Sequence, residues 1–358
     1  MKRVLVVQTG GGVGDVLLST PVLQALKHAE PQAELHYLCR ESTAGVLEGN
    51  PDLSRLWRLP GSAPSGGREF LGWVGRLRRE RYDAAVVLWS VSRIAWLLWL
   101  ARIPIRVGEG SRLGYSFTYT HRVRLRTRHG DTTSHWTDVL LDYVRALGIE
   151  PPPPRVTYVV PEEARRRAEE LLREAPGEGP LVGFHTGKGM ELAPGRWPVS
   201  VFAEWARALS QELGVRLVLT GSTAERSLVD EVERLSGVAA LNLAGRTDLP
   251  TLAAVAERCQ VFCCPDSGPM HVAAAVGTPA VGIYALEEDF PHRWAPFGVP
   301  SRVIRPVERN CRPGCLKATC PDFRCYRSVE TAAVVRAVRE LLASHPQAHP
   351  PRAGSRES

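Results

Sequence analysis

The chain has 358 residues, which is enough for two domains of ordinary size, each with its own core. Hydrophobic residues make up 44% and charged residues 23%, a globular composition that excludes a wholly disordered chain. The net charge of +7 suits anionic partners, although a solvated arginine-rich surface explains it more simply. We find no secretory signal and no apolar run long enough to span a bilayer, so we expect a cytoplasmic protein.

The first half of the chain alternates apolar strands with helices. Residues 4–7 are a continuous apolar run, as in a strand buried on both faces, and a glycine-rich turn follows. Residues 16–28 have the apolar spacing of a helix, and residues 33–38 and 83–89 predict two further strands. This alternation predicts an open parallel sheet.

The same alternation restarts after a proline run at residues 151–154 and a second group of helix breakers at residues 175–180. We therefore predict an α/β protein with the GT-B arrangement, two tandem Rossmann-like doubly wound domains facing a cleft. The predicted units are an N-terminal acceptor-side domain at 1–160, a linker region at 161–180, a C-terminal donor domain at 181–344 and a disordered tail at 345–358.

The turn after the first predicted strand reads Gly10-Gly11-Gly12-Val13-Gly14-Asp15. The turn is not a dinucleotide fingerprint, because Asp15 occupies the third glycine position, and no Gly-Lys-Ser/Thr of a Walker loop follows. A carboxylate at the mouth of a cleft is suited to take a proton from an acceptor hydroxyl. The simpler alternative is that Asp15 only caps the following helix.

A second strand end, at residues 264–271, reads Cys-Pro-Asp-Ser-Gly-Pro-Met-His. A helix is predicted to start within it, and free N–H groups at a helix start form an anion site that fits a diphosphate. Ser267 can add a hydroxyl donor. Simpler roles remain open for Asp266, as a helix cap, and for His271, as a core histidine.

Two further segments could complete a nucleotide site. Gly221 and Glu225 follow a predicted strand, where a carboxylate can hold a ribose diol or simply cap a helix. Lys188 and Arg196 are the cations best placed to neutralise a diphosphate, or they are ordinary surface charges.

In this order, the segments resemble the heptosyltransferase family, glycosyltransferase family 9, from residue 4 to about residue 335. The most specific pieces are residues 14–18 with Pro21 and residues 266–271 with 277–279, and residues 241–249 also match. The resemblance implies a GT-B fold and an inverting, metal-independent transfer of heptose or a related sugar from an ADP-sugar to the lipopolysaccharide core. No cofactor for catalysis is expected.

The resemblance also assigns roles to individual residues, with Asp15 as the catalytic base. In one respect the chain departs from the family, because Gly195 stands where a lysine often precedes the Trp-Pro pair. Arg196 or Lys188 would then replace that lysine. The expected donor-binding residues are Lys188, Arg196, Gly221, Glu225, Thr247, Asp266, Ser267, Gly268 and His271. The expected acceptor-side residues are Gly12, Gly14 and Arg93.

The acceptor half also carries an unusual basic and aromatic stretch. Trp89, Trp96 and Trp99 surround Arg93, and seven arginines follow between residues 102 and 128 with only Glu109 among them. This stretch suits a phosphorylated or lipid-linked acceptor at an anionic surface, or it is a basic face over buried tryptophans. We expect a glycan or glycolipid acceptor and peripheral contact with the cytoplasmic face of the membrane.

Four late cysteines, Cys311, Cys315, Cys320 and Cys325, have the spacing C-x3-C-x4-C-x4-C. A structural zinc ion, an iron–sulfur cluster and four free thiols all remain open, because the paired C-x-x-C knuckles of common zinc folds are missing. Disulfides suit a reducing cytosol poorly.

Other functions fit parts of the sequence. A non-catalytic nucleotide-sugar-binding or assembly protein, a GT-B transferase with another nucleotide sugar, and a nucleotide-sugar epimerase would all keep the two-domain fold. A nucleic-acid-binding protein could use the arginines, but no recognisable reading motif accompanies them, so we expect no nucleic-acid partner.

Overall fold

The computed structural model of the protein describes residues 1–89, 91–187, 195–286, 290–307, 320–321 and 323–344. Its strands are β1 (Arg3–Gln8), β2 (Glu34–Arg40), β3 (Arg55–Leu59), β4 (Ala84–Val87), β5 (Ile105–Glu109), β6 (His121–Val123), β7 (Leu181–His185), β8 (Arg216–Thr220), β9 (Ala240–Asn242), β10 (Val261–Pro265), β11 (Ala280–Ile283) and β12 (Ser301–Ile304). Its α-helices are α1 (Val13–Leu17), α2 (Thr20–Ala29), α3 (Glu41–Ala44), α4 (Gly67–Glu80), α5 (Ser92–Leu100), α6 (Trp136–Arg145), α7 (Glu162–Leu172), α8 (Val199–Leu213), α9 (Arg226–Ser236), α10 (Leu249–Arg258), α11 (Gly268–Ala275), α12 (Pro291–Trp294) and α13 (Thr331–Ser344).

The strands form two six-stranded parallel sheets with the same topology. The first sheet has the order β3-β2-β1-β4-β5-β6, and the second, read from its other edge, has the order β9-β8-β7-β10-β11-β12. In each sheet the direction of winding reverses beside the first strand, between β1 and β4 and between β7 and β10. Ligands of such sheets bind outside the carboxyl ends of the strands at this reversal point. The predicted pair of doubly wound domains is confirmed.

The first sheet is covered on both faces, as its apolar central strand requires. Val4 and Val6 of β1 pack into one core cluster, and Leu5 and Val7 pack into another. Successive side chains of a strand point to opposite faces, so the uninterrupted apolar run buries both sides of β1. The loop that follows β1 is therefore held by a fully buried strand.

The predicted linker region at 161–180 contains α7. Arg165 on this helix donates from Nε to Glu257 of α10 over 2.8 Å, so α7 is joined to a helix that follows the second sheet's strand β9. The domain limits at residues 160 and 181 stay predictions, and the predicted disordered tail at 345–358 lies outside the described residues. No helix in the described ranges is long and apolar enough to cross a membrane.

An aromatic cluster fills the core of the second half. The Phe202 ring, which is fully buried, lies 5.3 Å from the Trp197 ring, 4.9 Å from that of Trp205 and 5.6 Å from that of Tyr326, centroid to centroid. Because α8 carries Phe202 and Tyr326 comes from near the C-terminus, the cluster joins α8 to residues far along the chain.

We expect Phe202→Ala to lower the free energy of unfolding by about 3–5 kcal/mol, since it removes a buried ring and leaves a cavity. Urea unfolding would measure the loss. Phe290→Ala removes the same atoms from a side chain that is 48% exposed, and it should cost far less. Equal losses in the two variants would contradict the role of this cluster.

Candidate active site

The loop between β1 and α1 folds back on the side chain of Asp15. The backbone N–H of Gly12 donates to Oδ2 of Asp15 over 2.7 Å. Gly11 has a φ of +77°, and a Cβ there would lie 2.6 Å from Cγ of Asp15. Only glycine meets both demands, so the sequence of this turn fixes the position of the carboxylate.

Burial is the main influence on the Asp15 carboxyl, and it raises the pKa above the ordinary value of an aspartate. The hydrogen bond from Gly12 and the positive charge of Arg40 act in the opposite direction. Arg40, at the end of β2, also donates from Nη2 to the carbonyl oxygen of Gly11. A carboxylate with a raised pKa is a better proton acceptor than an exposed aspartate, and the same group caps α1.

Helix α11 starts at the carboxyl end of β10, opposite this loop. Ser267 is its N-cap residue, but the serine side chain makes no capping hydrogen bond to the helix. Instead, the Ser267 hydroxyl lies 3.1 Å from Sγ of Cys264. The N–H groups in the first turn of α11 are therefore not capped by the Ser267 side chain. An anion site at a helix start requires such uncapped N–H groups.

His271, in the first turn of α11, is 5% exposed. Burial lowers the pKa of His271 to about 3, so the imidazole is neutral at neutral pH. Its Nδ1 is buried without a hydrogen-bond partner among the described residues. The same ring packs on Gly14, where a Cβ would lie 2.7 Å from Cδ2 of His271. The neutral ring also lines the cavity described next.

These two loops line a single cavity of about 310 Å³ between the two sheets. The lining residues are Gly12, Val13, Gly14, Asp15, Asp266, Ser267, Gly268, His271 and Trp294. The structure thus brings together the predicted base, two of the predicted acceptor-side glycines and four of the predicted donor-binding residues.

The segment around α12 joins the two halves beside this cavity. Arg293 donates from Nη2 to the carbonyl oxygen of Asp131 over 2.5 Å. Nδ1 of His135 accepts from the N–H of Thr137, so the proton of the neutral ring lies on Nε2, 3.0 Å from the carbonyl oxygen of Ala295. A wall of the cleft therefore depends on contacts between the halves.

Comparison with known proteins identifies the family of this fold. The family model described as glycosyltransferase family 9 (heptosyltransferase) matches residues 73–323. The chain belongs to glycosyltransferase family 9. Its predicted resemblance to that family is confirmed, and the protein is a glycosyltransferase.

Characterised relatives cover most of this glycosyltransferase. The chain is 30% identical to lipopolysaccharide heptosyltransferase 2 of Salmonella typhimurium over 311 residues, which are 82% of this chain and 85% of the relative. A family 9 structure from Veillonella parvula has a TM-score of 0.78 at 24% identity and covers 96% of this chain and 97% of its own. The structure of E. coli ADP-heptose lps heptosyltransferase II has a TM-score of 0.76 at 23% identity and covers 97% and 100%.

The other predicted nucleotide-site residues of the transferase lie beyond the cavity. Oε2 of Glu225 accepts from the N–H and the hydroxyl of Ser222, each over 2.8 Å, so Glu225 caps the turn after β8. A Cβ on Gly187 would lie 1.9 Å from Oε1 of Glu225, which places the loop after β7 directly against this carboxylate. The carbonyl oxygen of Gly221 accepts a hydrogen bond from the N–H of Gly245 over 2.9 Å. Thr247 lies in the loop before α10.

Two of the predicted cations do not line the cavity that contains Asp15, and the third lies outside the described residues. Arg196 donates from Nε to the carbonyl oxygen of Cys320 over 2.9 Å. Arg93 is exposed and lines a separate depression with Phe70 and Trp96. Lys188 lies outside the described residues.

Half of the predicted cysteine cluster lies within the described residues. Cys320 and Cys325 are buried, and the N–H of Phe323 donates to Sγ of Cys320 over 3.2 Å. Cys311 and Cys315 lie outside the described residues. Metal binding at these cysteines stays a prediction.

Three residues at the site are missing from the sequence-based prediction: Arg40, His135 and Trp294. The position of Arg40 at the carboxyl end of a strand next to β1 was a usable signal. His135 and Trp294 carry no local signal, since their roles depend on contacts between the halves, such as that of the Trp136 and Trp294 rings 5.2 Å apart.

We expect Gly14→Ala to destabilise the protein by about 1–3 kcal/mol, because the added methyl group overlaps the His271 ring. Gly12→Ala is the matched control, since its Cβ would meet nothing closer than Oδ2 of Asp15 at 3.8 Å. Urea unfolding of both variants measures the difference. A second substitution, His271→Ala, should recover part of the loss in Gly14→Ala. Simple additivity of the two losses would contradict the contact.

Proposed function

We propose that the protein transfers a heptose-like sugar from an ADP-sugar to a lipopolysaccharide-core or other cell-surface glycan acceptor, with inversion and with Asp15 as the base. One observation carries the proposal. The carboxyl of Asp15, with its raised pKa, and the first turn of α11 line the same cavity. A proton acceptor for the acceptor hydroxyl and an anion site for the donor diphosphate would then face the same cavity.

In the proposed reaction, Asp15 accepts the proton of the acceptor hydroxyl. The hydroxyl oxygen forms a bond to the anomeric carbon of the donor sugar while the bond from that carbon to the diphosphate oxygen breaks. The nucleoside diphosphate leaves with the electron pair. A single displacement of this kind inverts the anomeric carbon and needs no covalent enzyme intermediate.

Negative charge develops on the departing diphosphate, and groups around α11 are placed to stabilise it. The N–H groups of the first turn and the Ser267 hydroxyl are donors beside the cavity. His271 is neutral, so its ring can add one hydrogen bond without bringing a charge. These donors support a reaction that requires no metal ion. Lys188 and Arg196 remain proposed as additional phosphate contacts.

The choice of an ADP-sugar rests on the relatives and on the end of β8. One structural relative is named as an ADP-heptose lps heptosyltransferase, and the sequence relatives are named as lipopolysaccharide heptosyltransferases. We assign Gly221 and Glu225, which follow β8 next to β7, to the ribose, and Thr247, which follows the edge strand β9, to the base. A lipid-linked acceptor would place the enzyme at the cytoplasmic face of a membrane.

We expect Asp15→Asn to lower kcat by about 10²–10⁴, the usual contribution of a general base, and to leave the affinity for ADP unchanged. Asparagine keeps an oxygen that can accept from the Gly12 N–H, so the loop should fold normally. Transfer from ADP-heptose to a heptose-deficient core acceptor is the assay. The rate should also fall as the pH decreases through the pKa of Asp15, at a higher pH than for an ordinary aspartate.

Glu48→Gln is the control for this experiment, because it neutralises an exposed carboxylate in the same half of the protein. It should leave the rate and its pH dependence unchanged. Unchanged transfer by Asp15→Asn would exclude this residue as the base. Donor binding without any turnover in the unmodified protein would instead favour the non-catalytic binding protein.

We expect ADP to raise the melting temperature more than GDP, UDP or dTDP at equal concentration. A ligand at about 100 times its Kd adds about 2.7 kcal/mol to the stability of the state that it binds. Glu225→Gln should weaken stabilisation by ADP while leaving that by inorganic diphosphate unchanged, since only ADP has a ribose.

Glu212→Gln, an exposed carboxylate on α8, is the control for Glu225→Gln. A preference for another nucleotide would keep the transferase but change its donor. An equal loss for ADP and inorganic diphosphate in Glu225→Gln would contradict the ribose assignment.

A further inference from the structure

The structure divides the arginine-rich stretch between residues 102 and 128 into two groups. Arg126 donates to Asp142 and Asp138 of α6, each over 2.8 Å, and Arg112 donates to Glu109 over 2.8 Å. Arg128 also pairs with Glu109, whereas the other four arginines of the stretch form no ion pair within the described part of the chain: Arg102, Arg106, Arg122 and Arg124. Only part of the stretch is therefore a basic surface.

A basic aromatic face is formed where α4, α5 and the 3-10 turn Ser116–Thr118 meet. The Trp96 ring contacts the rings of Trp99 and Phe117 edge-on, with centroids 5.6 and 5.5 Å away. Trp99 is 46% exposed and Phe117 is 59% exposed. We define the face by Leu71, Arg78, Arg93, Trp99, Arg102 and Phe117.

Helix α4 contributes one edge of this face. Arg78 donates from Nη2 to the carbonyl oxygen of Leu100 over 2.7 Å, which joins α4 to the end of α5. Leu71 is 66% exposed and lies two turns before Arg78, on the same side of the helix. Exposed apolar side chains thus continue from α5 onto α4.

The guanidinium groups of the face form no ion pairs within the described part of the chain. Arg78, Arg93 and Arg102 form no ion pair with any carboxylate of the described residues. Arg93 lies over the Phe70 ring at 5.3 Å from its centroid. Glu69 is nearby, but its carboxylate accepts from the N–H and the hydroxyl of Ser65 over 2.8 and 2.7 Å. The face therefore presents positive charge together with aromatic rings.

We propose that this basic aromatic face binds the surface of an anionic phospholipid bilayer. Arginines attract the negative head groups, and tryptophan and phenylalanine favour the interface between head groups and acyl chains. Charge complementarity selects this partner, because three arginines without carboxylates surround exposed apolar rings. The proposal does not depend on which sugar is transferred.

The position of the face relative to the cleft fits this partner. Helix α5 follows the carboxyl end of β4, and β4 pairs with β1, which leads into the Asp15 loop. The indole of Trp89, directly after β4, lies over Gly10 of that loop, where a Cβ would be 2.1 Å from Cε2 of Trp89. The Arg93 end of the face, at the start of α5, therefore lies toward the Asp15 loop, whereas Arg102 lies just before β5, toward the amino ends of the strands.

Co-sedimentation with vesicles tests the proposal without any enzymatic turnover, so its result is separate from that of the transfer assay. The full-length protein should bind vesicles of phosphatidylcholine with phosphatidylglycerol, and added salt should weaken the binding. Arg93→Gln with Arg102→Gln should lower the partition coefficient about 25-fold, at about fivefold for each charge removed. Trp99→Ser with Phe117→Ser should also lower it.

Two controls test whether a loss of vesicle binding comes from this face, from the loss of positive charge in general, or from misfolding. Arg93→Lys with Arg102→Lys keeps both charges and should retain binding. Arg226→Gln with Arg234→Gln removes two exposed charges from α9 in the other half and should have little effect. Each variant is checked by thermal unfolding.

Three results would overturn the proposal. The first is an absence of binding to anionic vesicles, and the second is equal binding to vesicles of phosphatidylcholine alone. The third is a dimer in solution that the Trp99→Ser and Phe117→Ser pair converts to monomers, which would identify the face as a contact between two copies of the chain.

Discussion

The packing of the His271 imidazole on the backbone of Gly14 is the contact on which the site depends. It brings the loop after β1 and the start of α11 together, although the two belong to different sheets. Because Gly14 has no side chain, the ring of His271 lies directly against the backbone and becomes buried. Burial in turn keeps the imidazole neutral and lowers its pKa to about 3.

Local sequence predicts the strands that are buried on both faces, since their apolar runs are continuous. Predicted strands at 4–7, 33–38 and 83–89 correspond to β1, β2 and β4 at the centre of the first sheet. The strands β3, β5 and β6 were not predicted: each carries at least one arginine, and β3 and β6 are the two edges of the sheet. Their identity depends on pairing with neighbours that are distant in sequence, which no local pattern records.

The site shows the same division between local and distant information. Asp15 and Ser267 could be picked out as candidates from the sequence because each lies in a turn that directly follows a buried strand, which is a local feature. The partners of the basic stretch were not found, since Asp138 and Asp142 lie on a later helix. A count of charges between residues 102 and 128 therefore overstated how much free positive charge the stretch presents.

The contacts across the cleft at Asp131 and Ala295 have an evolutionary consequence. In both, a side chain of one half donates to a main-chain carbonyl of the other, from Arg293 and from His135. Any amino acid supplies a carbonyl oxygen, so these two contacts constrain the donors Arg293 and His135 but not the side chains at positions 131 and 295. The Asp131 carboxylate is needed for a different reason, since it accepts from the N–H groups of Thr133 and Ser134. Selection on each of these two contacts then falls on one half alone, in contrast to the contact of the Trp136 and Trp294 rings, where a change in one half calls for a compensating change in the other.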